Sequence, residues 1–329
     1  MRRKKGPLVV VALGGNALLL PGQKGTHAEQ ERNAEETCRH LAPLLRRKFA
    51  LILTHGNGPQ VGNILLQNEA AAGRTPPMPL DHCVADTQGS LGHILQQALL
   101  NRLREDGLRR SVCTLVTHVE VDPKDPAFQD PTKPVGPFFT EKQANEIVAR
   151  DQWVMREDSG RGWRRVVPSP RPIRVLQAGL VRDLALAGHV VIAVGGGGIP
   201  VCRREGRLEG VEAVIDKDLA SACLAQEARA DVLLILTEVP AVYRHFGRKN
   251  QKAIPALTTG VAKALLEAGE FPRGSMGPKI EAAVRFLEAG GEHVLVTNAE
   301  SLDAALDRRA GTWIAPERLE KFAVKELFQ

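Results

Sequence analysis

Three glycine-rich loops follow apolar, β-branched runs of the sequence. They contain Gly14-Gly15-Asn16, Gly56-Asn57-Gly58 and Gly195–Gly198, and the last of these includes Gly196 and Gly197. Glycine lets backbone N–H groups approach an anion without a side chain in the way, and a helix N-terminus adds a favourable dipole. One such loop often only turns the chain, but three of them at strand ends predict a phosphate-binding edge.

Two lysines stand where amphipathic helices are predicted to begin. Lys217 lies in the run Ile215-Asp216-Lys217-Asp218, and Lys279 follows Gly274-Ser275-Met276-Gly277-Pro278. A cation in the first turn of a helix opposes the macrodipole, which typically costs about 0.3–1 kcal/mol. That cost is explained if both ammonium groups converge on a bound anion and Asp218 orients them. Either lysine alone is equally well explained as a solvated surface residue.

Several familiar catalytic patterns are absent from the sequence. There is no G-x-G-x-x-G after the first predicted strand, no G-x-x-x-x-G-K-[ST], no H-E-x-x-H and no G-x-S-x-G. These absences disfavour a dehydrogenase, a Walker-type NTPase, a zinc protease and a serine hydrolase. His55 and His118 follow predicted strands, where a structural hydrogen bond is a more common role than acid–base catalysis.

The basic charge balance has a local origin. The 329 residues carry 44 basic and 38 acidic side chains, and Arg2, Arg3, Lys4 and Lys5 supply four of the six excess charges. Aromatic residues make up only 4%, too few for the stacking platforms of single-strand nucleic-acid binders. We therefore expect a short basic tail on a nearly neutral protein, with no nucleic-acid partner.

The use of cysteine and the distribution of apolar residues predict a cytoplasmic location. The five cysteines show no paired spacing, which is typical of reduced thiols. An apolar run near the basic N-terminus imitates a signal sequence, but Gly14-Gly15-Asn16 interrupts it. No other stretch reaches the ~18 to 20 apolar residues of a membrane span, so no membrane partner is expected.

Short apolar runs alternate with longer amphipathic stretches along the chain. Strands are predicted over Leu8–Leu13, Ala50–Thr54, Val112–Val116, Val190–Val194, Val232–Leu236 and His293–Val296. Helices are predicted over Ala28–Lys48, Gln60–Ala72, Asp81–Glu105, Leu176–Ala187, Lys217–Ala228, Gly260–Ala268 and Pro278–Ala289. This alternation indicates an α/β protein with an open, mainly parallel sheet in an α/β/α sandwich, which binds ligands beyond the carboxyl ends of its strands.

Residues 123–172 interrupt this alternation. Eight of the 21 prolines and two of the three tryptophans, Trp153 and Trp163, fall within these 50 residues. Since an unstructured loop of that length is uncommon, we predict a small inserted subdomain that protrudes from the sheet as a lid. A disordered surface insertion is the alternative, which the aromatic content disfavours.

Seven motifs spread over most of the chain together resemble one known family. They are VALGGNA, THGNGPQVG, DTQGSLGH, DPAFQDPTKPVGPF, VGGGGIPV, AVIDKDLAS and GSMGPKIEA, in the family's order. The family is carbamate kinase, of the amino acid kinase fold. The resemblance implies reversible phosphoryl transfer, in which carbamoyl phosphate and ADP give ATP and carbamate. It also implies a homodimer whose single domain, 1–329, has a carbamoyl phosphate-binding half over about 1–189 and a nucleotide-binding half over about 190–329.

The same resemblance implies roles for individual residues. Lys133, in PTKPVG of the inserted segment, would reach the carbamoyl phosphate, while Lys217 and Lys279 would bind phosphates that Asp218 helps to position. Nucleotide contacts are implied for Lys217, Tyr243, Gly274, Met276 and Lys279. Substrate and phosphate contacts are expected at Gly14, Gly15, Asn16, Gly56, Asn57, Gly58, Gly196 and Gly197. Carbamate is already an anion, so no general base is required.

Mg²⁺ is expected on the nucleotide phosphates, where it would keep most of its waters, so we assign no protein metal ligand. The sequence departs from the family pattern at two places. The family commonly reads LTDVD where this chain reads LTEVP, with Pro240 in the last position. It commonly reads SPKP where this chain reads SPRP, with Arg171 in place of the lysine. We expect altered nucleotide-side hydrogen bonding at Pro240, and a retained charge with altered geometry at Arg171.

Two other functions are compatible with these motifs. Another phosphotransferase of the same fold, acting on a different small acyl substrate, would share the glycine loops but not the PTKPVG insertion or the DTQGSLGH run. A non-catalytic sensor of nucleotide or carbamoyl phosphate would not need the set of Lys133, Lys217, Asp218 and Lys279. The direction in which the reaction runs stays open.

Overall fold

The computed structural model describes residues 6–14, 17–20, 22–47, 49–158, 160, 162–272 and 274–317. The strands are β1 (Leu8–Ala12), β2 (Ala50–Thr54), β3 (Val112–Thr114), β4 (His118–Val121), β5 (Lys133–Phe139), β6 (Met155–Glu157), β7 (Trp163–Val167), β8 (Pro172–Val175), β9 (Val190–Ile192), β10 (Ile199–Arg204), β11 (Arg207–Gly210), β12 (Val232–Leu236), β13 (Val242–Arg244), β14 (Lys252–Ile254), β15 (Ala256–Thr258), β16 (His293–Thr297) and β17 (Thr312–Ala315). The helices are α1 (His27–His40), α2 (Ala42–Arg46), α3 (Gly58–Ala71), α4 (Leu80–Glu105), α5 (Glu141–Asp151), α6 (Ala178–Leu186), α7 (Lys217–Glu227), α8 (Thr259–Glu267), α9 (Met276–Glu288) and α10 (Leu302–Leu306). The basic tail, Arg2 to Lys5, lies outside the described residues.

An eight-stranded sheet has the order β15-β17-β16-β12-β1-β2-β9-β3. Its neighbouring strands are parallel except for β16 and β17. Both faces are covered: Val9 and Val11 of β1 join a core beside α1 and α4, whereas Val10 and Ala12 join a core beside α7 and α9. The predicted α/β/α sandwich with a mainly parallel sheet is confirmed.

The parallel order brings distant loops to one edge of the sheet. Strands β1, β2 and β12 are parallel neighbours, so the loops after Ala12, Thr54 and Leu236 leave the sheet on the same side. Strand β9 pairs with β2, which places the loop after Ile192 at that edge too. The three glycine loops predicted from the sequence therefore gather there.

The predicted helix Ala28–Lys48 is divided into two. Helix α1 ends at His40 and α2 begins at Ala42. Proline has no backbone N–H, so Pro43 cannot donate to the carbonyl four residues earlier, and a continuous helix is interrupted.

Two predicted strands end two residues before their apolar runs do, and β1 ends one residue early, at Ala12. Strand β3 ends at Thr114 rather than Val116, and β9 ends at Ile192 rather than Val194. Val194 has a φ of 54°, in the left-handed region, which is incompatible with a continued strand. The chain turns there into the glycines that follow.

A second sheet of four strands, β11-β10-β4-β8, is absent from the sequence-based prediction. Three of its strands, β4, β8 and β11, have only four residues each, and β11 is exposed along its whole length, so no long apolar run marks these three. The pairing of β10 with β4 joins Ile199 to His118, which are far apart in the sequence. Such pairing cannot be recognised from local periodicity.

The segment predicted as an insertion contains a third sheet, with the order β5-β7-β6, and helix α5. Ala144, Ile147 and Met155 form its small core, and Trp153 and Trp163 pack against them. The tryptophans thus stabilise an apolar core that is separate from the main sheet. We call strands β5 to β7 with α5 the inserted subdomain.

None of the helices in the described part of the chain combines the length and apolar character needed to cross a bilayer. The longest of them, α4, carries charged residues in both its first and last turns.

Candidate active site

Lys217, Asp218 and Lys279 form one hydrogen-bonded cluster beyond the carboxyl end of the main sheet. Lys217 and Asp218 are the first two residues of α7, and Lys279 lies in the first turn of α9. Lys217 Nζ donates to Asp218 Oδ1 at 2.8 Å, and Lys279 Nζ donates to Asp218 Oδ2 at 3.0 Å. The cluster joins two cations to one buried anion and therefore carries a net charge of +1.

The pKa values in the cluster follow from burial and from these contacts. Burial raises the pKa of the Asp218 carboxyl, but the charges of Lys217 and Lys279 outweigh it and hold the pKa well below its usual range. Burial lowers the pKa of the Lys217 ammonium, and Asp218 only partly opposes this, so the pKa lies below that of an ordinary lysine. Asp218 is therefore an anion at neutral pH.

Asp216 is a site residue that the sequence analysis does not assign. Its Oδ1 accepts from the N–H groups of Asp218 and Leu219, at 2.9 and 3.3 Å, and so caps α7. Its Oδ2 accepts from Nζ of Lys133, at 2.7 Å. An aspartate just before a predicted helix is an N-cap signal that could have identified the first contact. The second depends on the position of the inserted subdomain.

A cavity of about 250 Å³ lies over these side chains, and we call it the lysine cavity. Its lining includes Lys133, Asp216, Lys217, Asp218, Lys279, Gly56, Asn57, Gly58 and Gly196. All four residues predicted to be catalytic thus face one space, together with the loop after β2 and one glycine of the loop after β9.

Helix α3 begins at the lysine cavity without a side-chain cap. Asn57 precedes the helix, but its amide donates to Thr87 Oγ1, at 2.8 Å, and does not bond the first turn of α3. No Cβ is present at Gly58, and one built there would meet nothing within 4 Å. The N-terminus of α3 is therefore open to an anion in the cavity.

The N–H groups of two glycines after β9 are bonded within the protein. The N–H of Gly196 donates to the carbonyl of His55, at 2.7 Å, and that of Gly197 donates to the carbonyl of Val194, at 3.2 Å. These two donors are engaged within the protein, so this geometry does not support the predicted phosphate contacts of their N–H groups.

Close packing explains why glycine occupies these positions. A Cβ on Gly196 would lie 2.1 Å from Asn57 Nδ2, and one on Gly197 would lie 2.3 Å from the carbonyl oxygen of Ile215. Both residues also have positive φ, of 66° and 92°. The loop supports the floor of the lysine cavity and holds the segment that leads into α7.

The loop after β1 is described in part. Gly14 packs against β12, where a Cβ would lie 2.9 Å from the carbonyl oxygen of Leu236, and it lines a separate cavity of about 260 Å³. Lys279 lines that cavity as well as the lysine cavity. The predicted contacts of Gly15 and Asn16 lie outside the described residues.

A further cavity of about 240 Å³ adjoins the lysine cavity, and we call it the tyrosine cavity. Its lining is Thr237, Glu238, Val239, Tyr243, Phe246, Phe271, Pro272, Gly274, Ser275, Met276 and Lys279. Gly274, Ser275 and Lys279 line both cavities. The structure therefore places an aromatic and thioether-lined space next to a cationic one, an arrangement that suits a planar base joined to phosphates.

Comparison with known proteins assigns the fold to a family. A model of the amino acid kinase family matches residues 7–298. The chain belongs to the amino acid kinase family. Similar curated relatives of this kinase include the carbamate kinase of Pyrococcus horikoshii, which is 46% identical over 94% of this chain and 99% of the relative. The carbamate kinase-like protein YahI of Escherichia coli is also 46% identical, over 93% of this chain and 98% of its own.

Solved structures place the kinase beside the same group of enzymes. Carbamate kinase from Giardia lamblia bound to citric acid superposes with a TM-score of 0.89 at 41% identity, over 95% of this chain and 99% of the other. The same enzyme bound to AMP-PNP superposes with a TM-score of 0.87, with the same identity and coverage.

The two departures from the family pattern lie at different distances from the site. The carbonyl of Pro240 accepts from Thr297 Oγ1, at 3.3 Å, and the residue follows three that line the tyrosine cavity. Arg171 of the kinase is exposed, pairs with Glu281 at 3.1 Å and does not line the lysine cavity. Its charge therefore contributes to the surface of α9 rather than to the cationic cluster.

Proposed function

We propose that this kinase transfers a phosphoryl group reversibly between carbamoyl phosphate and ADP, giving ATP and carbamate. The observation that carries the proposal is the cluster of Lys217, Asp218 and Lys279 at the junction of the lysine and tyrosine cavities. The choice of substrate is supported by relatives named carbamate kinase that match nearly the whole chain.

The two cavities divide the substrates between them. The nucleotide occupies the tyrosine cavity, with its base near Tyr243 and Met276 and its phosphates directed past Gly274 toward Lys217 and Lys279. Carbamoyl phosphate occupies the lysine cavity, near Lys133 and the open N-terminus of α3.

The reaction is a displacement at phosphorus. The bond from phosphorus to the carbamate oxygen breaks while a bond to an oxygen of the ADP β-phosphate forms. Negative charge is spread over the three equatorial oxygens, and cations placed before the reaction stabilise it most effectively. Lys217 and Lys279, held by Asp218, supply these charges. Carbamate leaves as an anion, so no side chain has to move a proton.

A nucleotide-dependent kinase uses a metal ion, and we propose that here it is Mg²⁺. Over the described ranges, no three His, Cys, Asp or Glu side chains are grouped as metal ligands. The carboxylates of Asp216 and Asp218 both accept from lysines. This donor set fits a cation that the nucleotide phosphates and water hold, and Mg²⁺ bound in this way neutralises phosphate charge.

We also propose a homodimer, as the family resemblance implies, and a cytoplasmic location, which the unpaired cysteine spacing supports. Strand β3 is an edge of the main sheet and packs against α4, where Leu100 is exposed. Val116, just beyond β3, is exposed as well. An open sheet edge beside exposed apolar side chains fits a second copy of the chain. Sedimentation analysis of the wild type and of Leu100→Glu tests this, and a monomeric wild type contradicts it.

The deciding experiment is a coupled assay of ATP formation from carbamoyl phosphate and ADP. We expect turnover that is lost on chelation of divalent cations and restored by Mg²⁺. A protein that is folded and binds ADP but shows no turnover above background would instead be a sensor. Turnover with another acyl phosphate but not with carbamoyl phosphate would assign a different acceptor.

A further inference from the structure

One carboxylate links the inserted subdomain to the helix that carries the cationic cluster. Asp216 Oδ2 accepts from Nζ of Lys133, the first residue of β5, at 2.7 Å. Asp216 Oδ1 caps α7, whose first residue is Lys217. The two oxygens of a single side chain thus connect elements that are 83 residues apart in the sequence.

The contact leaves the Lys133 ammonium able to bind a ligand. An ammonium has three donors and Asp216 accepts from it through one oxygen, so further donors are free to meet an anion. The Lys133 side chain is 32% exposed and lines the lysine cavity together with Gly58. Its position there is set by Asp216, which is itself largely buried.

The inserted subdomain does not need this ion pair for attachment. Arg150 of α5 pairs with Glu69 of α3 outside the lysine cavity. Gly136 of β5 also packs directly on Gly62 of α3, where an added Cβ would lie 2.2 Å from Gly136 Cα. The contact between Lys133 and Asp216 therefore determines where one ammonium lies rather than whether the subdomain is docked.

We propose that Asp216 is a positioning residue, which holds Lys133 at the lysine cavity for carbamoyl phosphate. This proposal rests on the proposed function. A free lysine side chain samples many rotamers, and substrate binding has to restrict them. Asp216 restricts them before the substrate arrives, and its negative charge keeps Lys133 paired while the cavity is empty.

The variant Asp216→Asn separates positioning from helix capping. Asparagine caps helices as well as aspartate does, but its NH₂ group cannot accept from an ammonium. We expect kcat/KM for carbamoyl phosphate to fall about tenfold to a hundredfold, the cost of a misplaced substrate-binding group. The KM for ADP should change less than about twofold, because Lys133 serves the other substrate. The thermal midpoint should stay close to that of the wild type.

A double-mutant cycle with Lys133→Met tests whether Asp216 acts through Lys133. If Asp216 acts through Lys133, Asp216→Asn does not lower kcat/KM for carbamoyl phosphate any further in the Lys133→Met background. The control Glu69→Gln removes the ion pair between Arg150 of the subdomain and Glu69 of α3 and should leave both KM values unchanged. Three results would overturn the proposal: losses in kcat/KM for carbamoyl phosphate that add in the double mutant, an equal loss in kcat/KM for ADP, or the same loss for carbamoyl phosphate in Glu69→Gln.

Isothermal calorimetry of carbamoyl phosphate binding separates this inference from the proposed function. The proteins compared are the wild type, Asp216→Asn, Lys133→Met, the double mutant of these two and Glu69→Gln. A wild type that binds carbamoyl phosphate without turnover refutes the proposed function. A loss of that affinity in Asp216→Asn, absent in the Lys133→Met background, still supports positioning. If the wild type does not bind carbamoyl phosphate, or Asp216→Asn binds it as the wild type does, positioning for this substrate is refuted.

Discussion

The carboxylate of Asp218 binds the ammonium groups of Lys217 and Lys279 at the same time, through Oδ1 at 2.8 Å and Oδ2 at 3.0 Å. The two lysines belong to different helices, α7 and α9, so the carboxylate also joins those helices. Each lysine opposes the dipole of its own helix, and the buried anion between them compensates part of that cost. The remaining positive charge faces the lysine cavity, where an anion would bind.

Substitution of either lysine should remove most of the activity. We expect Lys217→Ala and Lys279→Ala each to lower kcat by about 10²- to 10³-fold or more, as loss of one charge-stabilising donor does in other enzymes. Steady-state ATP formation measures this. Lys263→Ala is the matched control, because Lys263 is exposed on α8 and pairs with Glu288. Near-native rates in Lys217→Ala or Lys279→Ala would remove that residue from the mechanism.

The pH dependence of ADP binding should report the pKa of Lys217. Burial lowers this pKa and Asp218 raises it, with a net lowering, so the ammonium loses its proton at a lower pH than an ordinary lysine. ADP affinity should therefore fall as the pH rises, with a midpoint below that of an exposed lysine. Asp218→Asn removes the opposing contribution and should shift the midpoint to still lower pH.

Isothermal titration of ADP from about pH 7 to pH 10 measures both midpoints. Lys279→Ala serves as a companion, since the charge of Lys279 also lowers the pKa of Lys217 and its removal should shift the midpoint upward. Equal midpoints in the wild type and Asp218→Asn would contradict the assignment.

The side chain of Lys133 should matter more for carbamoyl phosphate than for ADP. Lys133 lines the lysine cavity but not the tyrosine cavity. We expect Lys133→Ala to raise KM for carbamoyl phosphate or to lower kcat/KM for it by about tenfold or more, with the KM for ADP nearly unchanged. Initial rates with each substrate varied in turn test this, and equal effects on the two would disprove the division of the substrates.

Gly62 should be sensitive to substitution although it lies inside a helix. Alanine normally stabilises a helix relative to glycine by roughly 0.5–1 kcal/mol. In α3, however, the Cβ of Gly62→Ala would lie 2.2 Å from Gly136 Cα of β5, so the inserted subdomain has to move. We expect a lower midpoint of thermal unfolding and a lower kcat/KM for carbamoyl phosphate.

Gly179→Ala in α6 provides the matched control for that experiment. A Cβ there would meet nothing within 4 Å, so this variant should be as stable as the wild type and fully active. Thermal unfolding followed by circular dichroism, together with kcat/KM, compares the two variants. A Gly62→Ala protein that behaves like Gly179→Ala would show that the contact between α3 and β5 does not position the subdomain.

Local sequence patterns predicted the elements whose burial is continuous. Strands β2 and β12 match their predicted bounds, since a run of Val, Ile and Leu covered on both faces leaves little ambiguity. The four-stranded sheet was missed because its strands are defined by pairing between residues that lie far apart in the chain, such as Ile199 and His118. Pro43 interrupts the helix predicted over Ala28–Lys48 because it has no backbone N–H, a local effect that the spacing of apolar residues does not show.

The sequence by itself determined the fold class, the set of lysines and glycines at the candidate site, and the resemblance to carbamate kinase. Only the tertiary structure decided which groups meet. Asp218 binds two lysines because α7 and α9 begin at the same edge of the sheet, and Asp216 reaches Lys133 because the inserted subdomain packs on α3. Only the tertiary structure shows that the N–H of Gly196 is bonded to the carbonyl of His55. Hydrogen bonds act over about 3 Å, so they depend on the chain path that brings distant residues together.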